Sequence, residues 1–322
     1  MNFIKKKSDK NTIKKVRKSR KPWYKDKDHI QLSLMSLIPA LLVFVFSYIP
    51  IFGIIIAFKN YRYDLGIFGS PWVGFKNFAA FVKSDSFSKL IINTVGNNML
   101  FIVFGTITAV LVALLLFEIV NRRTTKIIQT IVILPNFVSW VLVSYLVYIF
   151  LAPDSGVLNK LLSTFGVSMV DWYATPSVWP VILTVVFVWK HFGMDSIMYY
   201  AALMGIDQSI IEAAEIDGAN KIQRTWHIVI PSILPLIIIL VIMKIGNIFR
   251  ADFGLFYNVT RNVGLLYETT DVFDTYIFRM VREIGDMGLS SAAGLIQSVV
   301  GFIVVIIANK LSKKIDPNYG LF

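Results

Sequence analysis

Cysteine is missing from the 322-residue chain, which excludes a disulfide framework, thiolate metal sites and a cysteine nucleophile. Charge is scarce as well. Asp, Glu, Lys and Arg make up 16% of the residues, whereas a soluble domain carries about 25%. Histidine occurs only at His29, His191 and His227, too scattered for a zinc-protease site. A glycine-rich loop ending in Lys-Ser/Thr is also absent, so the chain has no phosphate cradle with which to hydrolyse ATP. What remains is a chain that is 56% hydrophobic, the composition of a polytopic membrane protein.

The net charge of +12 is concentrated in a tail. Residues 1–28 hold 12 of the 32 Lys and Arg against Asp9, Asp26 and Asp28, which leaves the body near +3. No folded recognition module accompanies this charge, so nucleic-acid binding is not expected. The leader is expected to be flexible and to mark the cytoplasmic side, with contact to anionic inner-leaflet lipid as the competing reading.

An apolar helix of about 20 residues crosses the hydrocarbon layer. Ile30–Phe58, Leu90–Phe117, Ile127–Pro153 and Met287–Asn309 contain no charged side chain. Two further runs tolerate a few polar groups. The expected all-α organisation is a leader, 1–28, and one membrane domain, 29–322. Its six spans fall at about 30–58, 90–119, 127–152, 177–204, 229–249 and 287–309. Lys and Arg are denser in the loops that share a side with the basic leader, which predicts both termini in the cytoplasm.

The connector 205–228 differs from the other loops. Asp207 can cap a short helix, which should run to about Ile216 and stop at Asp217-Gly218, where glycine takes the left-handed conformation. A second helix then leads through Pro231 into the fifth span. Ala213, Ala214 and Ala219 are small, Glu212 and Glu215 stand three apart on one face, and Ile210, Ile211 and Ile216 offer apolar anchors. This pattern suits a helix docking in a partner's groove, or an amphipathic helix lying on the membrane surface.

Glu212-Ala213-Ala214, Asp217-Gly218-Ala219, Ile228 and Pro231 resemble the EAA signature of ABC importer permeases. Trp226 and Ile230 depart mildly from it. Tyr48–Gly53, Ala57–Tyr61, Val73–Phe78, Asn93-Thr94, Leu134–Trp140 and Asp274–Tyr276 resemble the branch for complex carbohydrates, the lipoprotein/polysaccharide-transport type, with Asn136 where that branch carries histidine. The resemblance covers the chain from about residue 30 to its C-terminus. It implies a type I importer permease fold with a cytosolic coupling helix, formed by Glu212, Ala213, Ala214, Asp217, Gly218, Ala219 and Pro231. It also implies a non-catalytic subunit that pairs with a second permease, a cytosolic ATPase dimer that binds ATP and Mg, an extracytoplasmic solute-binding lipoprotein, and a carbohydrate substrate. The alternatives are a secondary transporter, or a permease of the same kind for a non-sugar substrate. An independent secondary transporter should show internal repeats and mid-membrane carboxylates, and only Asp195 lies deep in a span.

Charged groups inside spans face protein or water. Trp189, Lys190, His191 and Asp195 fall in the fourth span, and His191 and Asp195 are four apart, able to meet on one face. Asn247, Arg250 and Asp252 crowd the outer end of the fifth, near Lys244. These seven (Lys244 aside) are candidates for the substrate path. The competing readings are an interhelical polar contact for the first group and snorkelling towards the surface for Lys244. Trp140, Tyr145 and Tyr148 are expected in interface belts or helix packing, and Gly288, Ser291, Ala292 and Gly294 should let the sixth span pack closely.

Overall fold

The computed structural model describes residues 27–315; most of the basic leader lies outside them. The main helices are α1 (Lys27–Val43), α2 (Lys76–Val82), α3 (Asp85–Phe117), α4 (Arg122–Ile133), α5 (Trp140–Leu151), α6 (Val157–Thr164), α7 (Trp179–Leu203), α8 (Gln208–Ile216), α9 (Lys221–Gly246), α10 (Phe273–Arg279) and α11 (Met287–Ile315). Among the described residues the only strand-like pairing is one antiparallel bridge between Lys59 and Trp72. Five helical stretches are long and apolar enough to cross a membrane: Gln31–Phe58, Asp85–Phe117, Pro176–Leu203, Lys221–Gly246 and Met287–Lys314.

Residues up to Gly53 form one unit and Ile54–Phe322 a second. In the first, α1 contains Pro39 and passes into a wide turn at Phe44–Tyr48 before the chain tightens from Ile49 onward. The packing described below belongs to the second unit.

The expected third span, 127–152, is not one straight helix. Arg122–Phe137 and Trp140–Leu151 meet at 95°. Pro135 lies in a tight turn, Leu134–Phe137, and Ser139 restarts the helix by accepting a hydrogen bond from the Leu142 amide. A break of this kind frees backbone carbonyls that an apolar environment cannot solvate. Lys190 answers them. Its ammonium donates to the carbonyls of Asn136 at 2.8 Å and Val138 at 2.6 Å, with Pro135 at 3.4 Å. Lys59 does the same in the segment ahead of α2, donating to the carbonyls of Ile67 and Phe68.

Three apolar clusters hold the bundle. The largest joins α3, α5 and α7 around Phe101, Val143, Trp179 and Leu183 to Leu255 and Phe256. Phe101 and Phe187 stack there at 4.4 Å between centroids. A second, at the elbow end, packs Ala109 and Ala113 against Tyr199, Leu203, Val229 and Ile233. A third packs Phe81 and Leu90 against Phe273, Tyr276 and Ala293 of the last span. Gly288 sits so close to Asn77 and the Lys59 carbonyl that a Cβ would stand 2.8 Å from the Asn77 amide nitrogen, in line with the small-residue face expected there.

The tightest approach is between α4 and α7. A Cβ on Gly193 would lie 1.8 Å from the Val132 carbonyl oxygen, a backbone atom that cannot swing aside. Gly193→Ala should therefore force the two helices apart and destabilise the protein by about 1–3 kcal/mol. A melting temperature equal to that of the wild type in detergent would contradict this.

Candidate functional site

The elbow forms as the sequence predicts. Asp207 accepts from the Ser209 amide at 3.0 Å, and that hydrogen bond holds its carboxyl below the usual range. α8 ends at Ile216, and Gly218 takes φ +84°, a conformation that a β-carbon resists. Asn220 and Gln223 then form a reciprocal capping box, which starts α9 and carries it through Pro231 into the fifth apolar stretch.

The two faces of α8 differ. Gln208, Ile211 and Glu215 turn inward, towards the ends of α3 and α4. Ile211 is buried, so this expected anchor for a partner instead pins the elbow to its own bundle. Glu212, Ala213, Ile216, Asp217 and Gly218 are exposed, while Ala214 and Ala219 are half-buried. Arg224 locks the arrangement. It pairs with Glu118 at the end of α3 at 2.8 Å and with Glu215 of α8, and Lys221 adds a longer contact to Glu118 at 3.4 Å. Glu212 and Glu215 thus take different tasks, one open and one spent on an internal pair.

The substrate-path candidates separate into two groups. His191, Asp195, Asn247, Arg250 and Asp252 line one cleft of about 480 Å³, together with Lys244, Asn98 and an apolar wall that includes Phe101 and Phe187. Trp189 does not; it faces an apolar groove with Val147, Phe150 and Val185. Lys190 does not either, being buried and committed to the bend. His191 and Asp195 share a face but turn to other partners. Asp195 accepts from Lys244 at 2.6 Å. The Nδ1 of His191 lies 2.9 Å from the Phe187 carbonyl, and its ring stacks on Phe187. Lys244 is therefore paired within the cleft rather than reaching for a surface.

Trp140 is more than a belt residue. Its indole N–H donates to Asp252 at 2.9 Å, and its ring lies so close to Gly254 that a Cβ there would come within 2.1 Å of it. Asn98 donates to the carbonyls of Ile248 and Arg250, fixing the backbone that carries Asn247 and Arg250. Nothing in the residue types marked either contact; they join positions 112 and 150–152 apart.

The segment between the fifth and last apolar stretches is stitched to α3 and α11 by residues already singled out in the sequence. Asn93 donates to the carbonyls of Glu268 and Asp271, and Thr94 accepts from the Phe273 amide. Asp274 accepts from the Ala251 amide and from Gln297. Asp271 pairs with Arg279 at 2.5 Å. Burial pushes the Asp271 carboxyl up, against the opposing pull of Arg279.

A bundle of broken and continuous apolar helices, with a capped elbow at one end and a polar cleft within it, defines a membrane-embedded transport component. Residues 101–317 match the family of binding-protein-dependent transport system inner membrane components, and the chain belongs to that family. Protein LplB of Bacillus subtilis (strain 168) is 37% identical over 287 residues, 89% of each chain. The polygalacturonan/rhamnogalacturonan transport system permease protein YteP of the same organism is 34% identical, covering 88% of each. The crystal structure of a bacterial ABC transporter involved in the import of the acidic polysaccharide alginate contains a chain that superposes with a TM-score of 0.82 at 34% identity. That match covers 91% of this chain and 99% of the other.

Proposed function

We propose that this chain is one of two different permeases forming the pore of an ATP-driven importer for an oligosaccharide or complex glycan. A separate cytosolic ATPase dimer binds ATP and Mg and supplies the work, and an extracytoplasmic solute-binding lipoprotein delivers the sugar. Both termini face the cytoplasm, as does the elbow. The similarity to YteP and to the alginate transporter supports a saccharide cargo.

The observation that carries the coupling role is the two-faced elbow. Glu212, Ala213, Ala214, Asp217, Gly218 and Ala219 make an outward tip of mostly small and acidic groups, while Ile211 and Arg224 bind its other side to the bundle. Closure of the ATPase pair around ATP displaces the tip. Arg224 passes that displacement to the end of α3, and Pro231, at the entry to the fifth span, continues it along α9. Nucleotide and sugar drive transport only because each favours a different state of the bundle. The sugar passes along the cleft of His191, Asp195, Asn247, Arg250 and Asp252, whose polar groups hydrogen-bond hydroxyls while Phe101 and Phe187 present apolar faces. Trp189 and Lys190 take no part in that path.

The cysteine-free chain offers a direct test. Glu212→Cys carrying a thiol-linked photoreactive group should capture the ATPase subunit in cells that are importing glycan. Capture of lipid alone, with uptake intact, would rule the coupling role out.

A further inference from the structure

The cleft behind the elbow holds more positive charge than its own carboxylates neutralise. It has a volume of about 750 Å³ and lies between the end of α3, the start of α4 and the inward face of α8. Both of its acids are engaged: Glu118 by Arg224 and Lys221, and Glu215 by Arg224. Arg122 and Lys126 also line it. Both are exposed, and among the described residues neither forms an ion pair. They stand four apart on α4, where like charges repel, so this spacing works against the helix unless something negative lies between them.

Arg224 adds a second, independent sign. Its side chain is buried, with the residue 8% exposed, and its Nε has no hydrogen-bond partner among the described residues. An N–H donor withheld from both water and protein is costly. The guanidinium itself borders the cleft.

The remaining wall distinguishes among anions. Phe117, Ile119 and Val120 border the same cleft, and Val120 is 96% exposed. Phe117 ends one apolar helix and Arg122 starts the next, so the site sits in the link between two apolar segments, where a headgroup would lie. We infer that the cleft holds the phosphodiester headgroup of an anionic phospholipid, its oxygens between Arg122 and Lys126 beside the guanidinium of Arg224 and its acyl chain along Val120. Basic pockets between spans are a known physical solution for such headgroups. The lipid then lies between the bundle and the inward face of α8, bracing the elbow from behind. The bracing role rests on the coupling function proposed above; the charge balance of the cleft does not.

Native mass spectrometry of the complete transporter, purified from mixed phosphatidylglycerol and phosphatidylcholine, tests the site. The wild type should retain phosphatidylglycerol in preference to phosphatidylcholine. Arg122→Gln/Lys126→Gln should retain it about 30-fold less well, a loss of about 2 kcal/mol at 1.4 kcal/mol per tenfold. The charge-preserving Arg122→Lys/Lys126→Arg should keep it, which separates loss of charge from loss of structure. Equal retention by the wild type and the glutamine variant overturns the inference. So does displacement of the lipid by millimolar inorganic phosphate, which would mark a site for free anions. Retention is read without turnover or cross-linking, so its failure leaves the coupling role standing, and a failed capture from Glu212→Cys leaves the lipid site standing.

Discussion

Lys190→Met is expected to destabilise the protein by about 3 kcal/mol, a clear drop in melting temperature in detergent. The substitution keeps most of the side chain's length and apolar stem but removes the ammonium that serves the carbonyls of Pro135, Asn136 and Val138. Each buried acceptor left without a partner costs about 1–3 kcal/mol. Two of the three contacts are short, and the third, at 3.4 Å, contributes less. Removing an ammonium also removes the expense of burying it, which offsets part of the loss. The Pro135 carbonyl keeps the Val138 amide, at 3.2 Å, so the loss falls on the carbonyls of Asn136 and Val138. Lys190→Arg is the control: a guanidinium also donates to several oxygens but is bulkier, so it should recover part of the stability. If Lys190→Met melts with the wild type, the right-angle bend does not depend on this side chain.

The same residue shows what a sequence reveals and what it hides. Apolar length alone located the long helices, because the membrane imposes a minimum run that can be counted. The elbow was legible because its ends carry local chemistry: Asp207 caps, Gly218 turns left-handed, and both act within a few residues. The break in the third span was not. Ile127–Pro153 is uncharged throughout, and Pro135 within such a run is equally compatible with a gentle kink. What makes the bend tolerable lies 52–55 residues away, on Lys190. The polar pairings hid for the same reason. Asp195 meets Lys244 across 49 residues, and Arg224 meets Glu118 across 106. Composition flagged Asp195 and Lys190 as expensive in a span but could not name their partners. It therefore grouped Trp189, Lys190, His191 and Asp195 as one cluster, when helical geometry sends them to three different surroundings.

Arg224→Met is expected to weaken coupled transport severely while leaving the chain folded. Arg224 is the only described side chain that ties α8 to the end of α3 through charge, holding Glu215 on one side and Glu118 on the other. Removing one member of a fully buried pair costs about 3–5 kcal/mol because its partner is left stranded. Here the partners are not stranded: the side chains of Glu118 and Glu215 are 29% and 56% exposed, so water can take them back. A stability loss of about 2 kcal/mol is the expectation, with Lys221 still near Glu118. The mechanical consequence is larger. An elbow held only by Ile211 and the backbone of α9 can move under the ATPase without moving α3. In proteoliposomes with the full transporter, sugar-stimulated ATP hydrolysis and uptake should fall at least about tenfold, while basal hydrolysis persists; a tenfold loss of rate equals about 1.4 kcal/mol of activation free energy. Glu118→Gln, which keeps a hydrogen-bond acceptor for Arg224 but removes the charge, should fall between the two. If Arg224→Met transports at the wild-type rate, then motion reaches the bundle through the peptide chain at Pro231 alone, and the ion pairs serve only to fold the connector.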